Sequence, residues 1–294
     1  MSIFALTASA TARNLRITPL RDSFGLTART QLLNLVNEER ANAGVGALKL
    51  DELACNVAEQ HALDMVQGVF LSHWGRDGRK PYHRYSFAGG TDATEENDSA
   101  ADHDDGPAGA EDISRDLILM HRSMYEERPP NDGHRKTMLA PQHTHVGFGV
   151  GAEGSHVRLS ELYVARYVTI DRYPVKDRPG STFIFSGRVL DPRYTLQGVD
   201  VCYEPLPSPP NLAWLRTLRP YGLPEDRDTL MPRLPPGYHY DDGSKGSIEL
   251  QEKGIFRVPV LLFRKVSGIY TMVVWIQQGD ADPFPATQVS VRAE

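Results

Sequence analysis

The sequence predicts an α+β chain in two parts, with a helix-rich first part over residues 27–170 and an all-β, immunoglobulin-like sandwich over residues 171–294. Three observations carry this. Apolar residues recur at helical spacing in several segments before residue 140, the mark of helices that bury one face. After about Asp171 that periodicity disappears, proline becomes frequent, and short β-branched or aromatic runs alternate with turn residues. The chain also has 294 residues, long enough for two domains.

Residues 1–26 stand apart as an N-terminal segment. They lack a charged start and a full apolar run, yet carry Ala8-Ser9-Ala10 and Ala10-Thr11-Ala12, patterns like a signal-peptidase site. A clipped signal-peptide remnant and an ordinary N-terminus both remain readings. The first helix starts at Thr27 as N-cap, shows Leu32, Leu33 and Val36 on one face, and ends at Gly44 and Gly46. Asp51 caps a second helix that buries Leu53, Val57, His61, Ala62 and Met65 and ends near Gly68. Residues 69–110 are loop-rich, with a short helix expected near Pro81–Ala88 and a strand around Glu95–Asn97. A third helix spans roughly Glu111–Glu127, with Ile113, Leu117, Met120, His121 and Met124 inward. Pro129 and Pro130 stop it, Asn131-Asp132-Gly133 turns the chain, and His134 opens a short helix that ends at Pro141. Val146–Val150 and Val157–Ile170 read as strands joined at Gly151–Gly154. In the second part, Thr182–Phe185, Val199–Tyr203, Ile248–Leu250, Phe256–Phe263, Ile269–Ile276 and Val289–Val291 read as strands, and Tyr270 has the placement of a sandwich-corner tyrosine. Pro205–Gly246 reads as a long connection.

Composition excludes some functions. The net charge is −6 without a Lys/Arg block, so nucleic acid is not an expected partner. No apolar run reaches membrane-spanning length. Cys55 and Cys202 fall in different parts and read as two buried free thiols. Asp98, Asp102, Asp104 and Asp105 before Gly106 lack the alternation of a calcium loop and read as a solvated acidic loop. His61 reads as a satisfied core histidine, and His83, His121, His143, His145 and His156 likewise.

The chemistry concentrates elsewhere. On the third helix, with Ile113 as origin, Glu127 falls at about −40°, inside the apolar face, and Glu126 at about −140°, toward solvent. Glu127 is thus the carboxylate expected in a cleft, where it needs a partner. His134 across the turn is the candidate. His73 in Ser72-His73-Trp74-Gly75 supplies a second imidazole, and the segment Glu95-Glu96-Asn97 is the second acidic candidate.

Four stretches, in order, resemble one family: LLNLVNEERANAGVGALKLDELACNVAEQHALDM, FLSHWGRDGRKPYHRYSFAGG, TEEN and DGHRKTMLAPQHTHVGFGV. Over about residues 29–168 the chain resembles the CAP superfamily of cysteine-rich secretory, antigen 5 and pathogenesis-related proteins, also called SCP-like domains. It is similar to the bacterial branch, because the cysteines that staple animal and plant members are absent. The resemblance implies a CAP-type α-β-α sandwich whose cleft is lined by His73, Glu96, Glu127 and His134. Two positions depart from the pattern: Glu95 stands where the family has Gly, and Met124 holds the place of a Trp. The resemblance also implies a divalent metal, often zinc, between His73 and His134, and either lipid, sterol or peptide binding or proteolysis. The sandwich lies outside the family core and resembles an accessory module.

The expectation is therefore a secreted or cell-envelope protein that binds a small ligand, such as a lipid, a peptide or a cell-wall component, in a His/Glu-lined cleft. The alternative is a zinc-assisted hydrolase or protease in the same cleft, with Glu96 or Glu127 as base and zinc on His73 and His134. A third reading is a structural tetrad that holds the long loop.

Overall fold

The structure, a computed structural model, describes residues 23–294. The signal-peptide reading rests on residues that lie outside the described ones. The elements in chain order are α1 (Ser23–Asn42), β1 (Lys49–Leu50), α2 (Glu52–Gly68), α3 (Pro81–Phe87), β2 (Ala93–Asp102), α4 (Ala110–Tyr125), α5 (Gly133–Leu139), β3 (His145–Glu153) and β4 (His156–Ala165). Then follow β5 (Val168–Ile170), β6 (Lys176–Asp177), β7 (Thr182–Val189), β8 (Tyr194–Glu204), α6 (Leu212–Leu215), β9 (Arg227–Leu230), β10 (Glu249–Leu250), β11 (Ile255–Leu261), β12 (Gly268–Gln278), β13 (Phe284–Pro285) and β14 (Val289–Ala293).

The first part is a four-stranded sheet, order β1-β3-β4-β2, between two helical layers. Alternation along the strands decides which layer each residue meets. Val146, Phe148, Val150, Leu159 and Tyr163 pack with Leu32 and Val36 of α1 and with Ile113, Leu117 and Met120 of α4. Leu162 and Val164 pack on the other face with Ala54, Val57 and Ala58 of α2 and Tyr85 of α3. Gly147, Gly149 and Gly151 of β3 face α2, where a Cβ would overlap its backbone at Ala54, Ala58 and Ala62. This glycine stripe lets the helix lie directly on the strand. Asp51 caps α2 as expected, its Oδ1 accepting the Ala54 amide at 2.7 Å.

The second part is a sandwich of the sheets β10-β11-β7-β5 and β6-β14-β12-β8-β9, with β13 paired to β12. Phe185, Phe256, Val258, Val201, Met272 and Val291 fill the space between them. Tyr270 performs the corner role: its hydroxyl accepts the Arg264 amide at 2.6 Å. Cys55 and Cys202 are free and buried.

Several boundaries differ from expectation. Helix α1 begins before Thr27, which sits inside it. Helix α4 stops at Tyr125 with Glu126 as C-cap, so Glu127 is not on the helix and its wheel angle does not orient it. The strand expected over Val157–Ile170 is two: β4 ends at Ala165, and β5 pairs with β7 of the sandwich. The piece around Glu95–Asn97 extends to ten residues, because β2 pairs with β4 along its whole length. Asp98 therefore lies in a buried strand position, not in a solvated loop.

Candidate functional site

The cleft runs along β2, the edge strand of the first sheet. His73 comes from the loop after α2, Glu96 from β2, Glu127 from the turn after α4, and His134 from the first turn of α5. All four line one cavity of about 730 Å³. They meet as two pairs. His134 Nδ1 lies 2.5 Å from Glu127 Oε1, and the His134 amide donates to Glu127 Oε2 at 3.0 Å. The turn, rather than helical phase, aims Glu127: the backbone start of α5 binds one carboxylate oxygen and its imidazole the other. Asn97 Nδ2 donates to the His134 carbonyl at 3.1 Å and ties α5 to β2.

The second pair is deeper and larger. His73 Nδ1 lies 3.1 Å from Glu96 Oε1 and 3.0 Å from Asp98 Oδ2. Arg84 Nη2 donates to the other Glu96 oxygen, Oε2, at 2.5 Å, and Arg84 Nη1 to the His73 carbonyl at 2.7 Å. Burial disfavours a charge on His73, but Asp98 and Glu96 outweigh it and push its value up to about 10. Burial likewise raises Asp98, and the facing His61 and His73 bring it well below the usual carboxylate range.

Two members of this cluster escape the sequence reading. His61, on the buried face of α2, turns its Nε2 to within 3.5 Å of Asp98 Oδ2 and 3.8 Å of Glu96 Oε1, and donates to the Ser72 carbonyl at 2.8 Å. Asp98 joins because residues two apart on a strand share a face, so Glu96 and Asp98 both look toward α2. That spacing was the available signal for Asp98. His121 is a satisfied core histidine as expected: it bridges Glu161 and Glu39 inside the core, away from the cleft.

The connection Pro205–Gly246 has a definite place. Residues 218–223 line the cavity, as do Pro285 and Gln288 from the sandwich. The Tyr221 ring meets the His73 ring edge-on, centroids 4.8 Å apart. Its hydroxyl accepts the Glu96 amide at 2.9 Å, and Gln288 Oε1 accepts the Thr94 amide at 2.8 Å. Both amides lie on the open edge of β2. The cavity thus has a polar floor from the first part and a cover from the second, with Leu218, Pro220, Leu223 and Pro285 adding apolar surface.

No curated protein matches the chain. Among solved structures, it is similar to an extracellular protein containing an SCP domain from Bacillus anthracis str. Ames, at 19% identity over 48% of this chain, with a TM-score of 0.37. The chain spans 41% of that protein's length. It is similar also to an outer surface protein from Borrelia burgdorferi, at 14% identity over 47% of this chain and 91% of the other, with a TM-score of 0.38. The family model of the cysteine-rich secretory protein family, CAP, matches residues 33–167. The chain thus carries, over residues 33–167, a CAP domain of the cysteine-rich secretory protein family.

Proposed function

We propose that the chain is a binding protein of the cell envelope or extracellular space, and that its CAP cleft takes a small amphipathic ligand such as a lipid, a peptide or a cell-wall fragment. The observation that carries the reading is the composite cavity. Its volume, about 730 Å³, falls within the roughly 300–1,000 Å³ typical of small-molecule sites. A polar group of the ligand would meet the half-exposed His134–Glu127 pair, and its apolar part would lie against Leu218, Leu223 and Pro285. No described helix is long and apolar enough to cross a membrane.

The test is fluorescence anisotropy with labelled fatty-acid, sterol, peptide and muropeptide probes. One class is expected to bind saturably, and Thr137→Trp, which places an indole in the cavity, is expected to abolish binding while circular dichroism stays unchanged. If no class saturates the wild type, or the Trp variant binds equally well, the cavity is not a ligand site.

The hydrolytic reading retains one feature: a carboxylate-oriented imidazole at a cavity wall is the arrangement of a general base. Turnover of an ester and peptide panel that disappears in His134→Ala would favour it over binding alone.

A further inference from the structure

Behind the His134–Glu127 pair, four donor atoms from three elements gather at the cavity floor. They are His61 Nε2 of α2, His73 Nδ1 of the following loop, and Glu96 Oε1 and Asp98 Oδ2 of β2. The four separations between an imidazole nitrogen and a carboxylate oxygen are 3.0, 3.1, 3.5 and 3.8 Å. A tetrahedral ion with bonds of about 2.0–2.1 Å sets its ligand atoms about 3.3–3.4 Å apart. These four separations bracket that value, and the ligand atoms of His61, Glu96 and Asp98 all lie within 4.8 Å of one another. The side chains of His61 and Glu96 are fully buried, that of Asp98 is 3% exposed, and His73 alone opens to the cavity at 18%.

A second observation, independent of spacing, points the same way. Asp98 Oδ1 and His61 Nδ1 are buried and make no hydrogen bond with any described residue, and Asp98 Oδ2 faces only the two imidazoles. A buried carboxylate oxygen without a hydrogen bond is costly and calls for a partner. A dication inside two carboxylates and two neutral imidazoles supplies that partner and balances the charge. The surrounding groups also suit a metal. Arg84 holds Glu96 Oε2 and thereby aims Oε1 inward, the kind of outer contact that orients metal ligands.

We propose that His61, His73, Glu96 and Asp98 form a tetrahedral site for a divalent cation of the zinc class at the floor of the cleft. Two nitrogens and two oxygens in tetrahedral array suit zinc better than calcium or magnesium, which take six or more oxygens. The site differs from the His73/His134 pair that the family resemblance implies: His73 Nδ1 faces Glu96 and Asp98, and His61 and Asp98 complete the set in place of His134. Binding requires both imidazoles to turn a lone pair inward. His73 releases its Nδ1 proton to solvent, and His61 moves its Nε2 proton to Nδ1, exchanging the Ser72 carbonyl for the metal. The alternative occupant of the same geometry is that proton on His73, bridging Glu96 and Asp98.

The test needs no ligand, so its outcome is separate from that of the binding reading. The full chain is stripped with a chelator and titrated with zinc against a chromophoric competitor, and bound metal is counted after desalting. One equivalent is expected. Asp98→Asn and His61→Gln should each weaken uptake by at least about 10–100-fold, the range that even outer-contact changes reach, while His134→Ala leaves it intact. Cobalt should give the intense visible bands of a tetrahedral centre in the wild type, and zinc should raise the wild-type Tm but not that of Asp98→Asn. Uptake that survives Asp98→Asn and disappears in His134→Ala would overturn the assignment in favour of the family pair. The absence of stoichiometric uptake by the wild type would overturn it in favour of the proton. Should the variants fail to fold, anomalous diffraction of zinc-soaked wild-type crystals decides: a peak bonded to all four atoms supports the site, and a peak elsewhere sinks it.

Discussion

His121 shows how a single residue couples this fold to pH. Its Nδ1 lies 2.6 Å from Glu161 of β4 and its Nε2 lies 2.9 Å from Glu39 of α1, with the Tyr163 hydroxyl donating to the second Glu161 oxygen at 2.7 Å. Burial opposes a charge on the ring, and Glu161 and then Glu39 outweigh it, so its value moves from 6.5 up to about 10. A folded-state value above the unfolded one means that the folded chain keeps a proton the unfolded chain releases. The stabilisation is therefore complete below about pH 6.5 and is lost as pH rises toward 10. Urea unfolding between pH 6 and 9.5 should show stability falling with a slope approaching about 1.4 kcal/mol per pH unit for this group. His73 titrates in the same window, so the slope belonging to His121 is the difference from His121→Gln. That variant should also lose about 3–5 kcal/mol at pH 7, since two buried carboxylates then face each other without the cation between them. An unchanged slope in His121→Gln would refute the bridge. The same residue shows what a sequence hides. An imidazole on the apolar face of a helix looks like any core histidine, because its carboxylates lie at Glu39 and Glu161, far away along the chain. His61 was hidden in the same way. His73, Glu96, Glu127 and His134 were legible because each sits in a short recognisable stretch and the stretches come in a fixed order.

At the scale of elements, the layering depends on the β3 glycines. Phe148 and Val150 point to α1 and α4, while Gly147, Gly149 and Gly151 give α2 room to rest on the strand. The pattern Gly-Phe-Gly-Val-Gly is legible as a strand, but its meaning is not, since it depends on which helix covers the bare face. Gly149→Ala should force α2 away at Ala58 and destabilise the chain by about 1–3 kcal/mol, the range of overpacking. The urea midpoint should fall at constant m-value, and a variant as stable as the wild type would mean that helix and strand are less tightly seated than described. Element ends were harder to read than element existence. The apolar face of α4 extends through Met124, yet the helix stops at Tyr125, so Glu127 reaches the cleft through the turn. β2 exceeded its expected length because pairing with β4, a tertiary effect, imposes strand on Asp98–Asp102, a stretch with weak strand propensity.

At the scale of the whole molecule, the two parts share an edge. An edge strand exposes unpaired backbone groups and must be covered. Here the cover is not another strand. The Thr94 and Glu96 amides, two residues apart on the open side of β2, donate to Gln288 of the sandwich and Tyr221 of the connection. Ser290 and Ser86 add a contact between β14 and α3 at 2.7 Å, and Tyr82 donates to Glu204 at 2.8 Å. The sequence showed a long connection rich in Pro, Asp and Tyr but carried no sign of its destination, because a tyrosine that satisfies a distant amide leaves no periodic trace. The consequence is that the cleft's floor and its cover are coupled through the Glu96 amide. Tyr221→Phe keeps the ring against His73 and removes only the hydroxyl, so it should cost about 0.5–1.5 kcal/mol, the net worth of one hydrogen bond. Its sharper signature is local. Amide hydrogen exchange at Glu96 should accelerate, whereas exchange at Thr94, held by Gln288, should not. Acceleration at both amides would mean that connection and sandwich lift from β2 as one unit, and at neither that Tyr221 is not the partner of the edge.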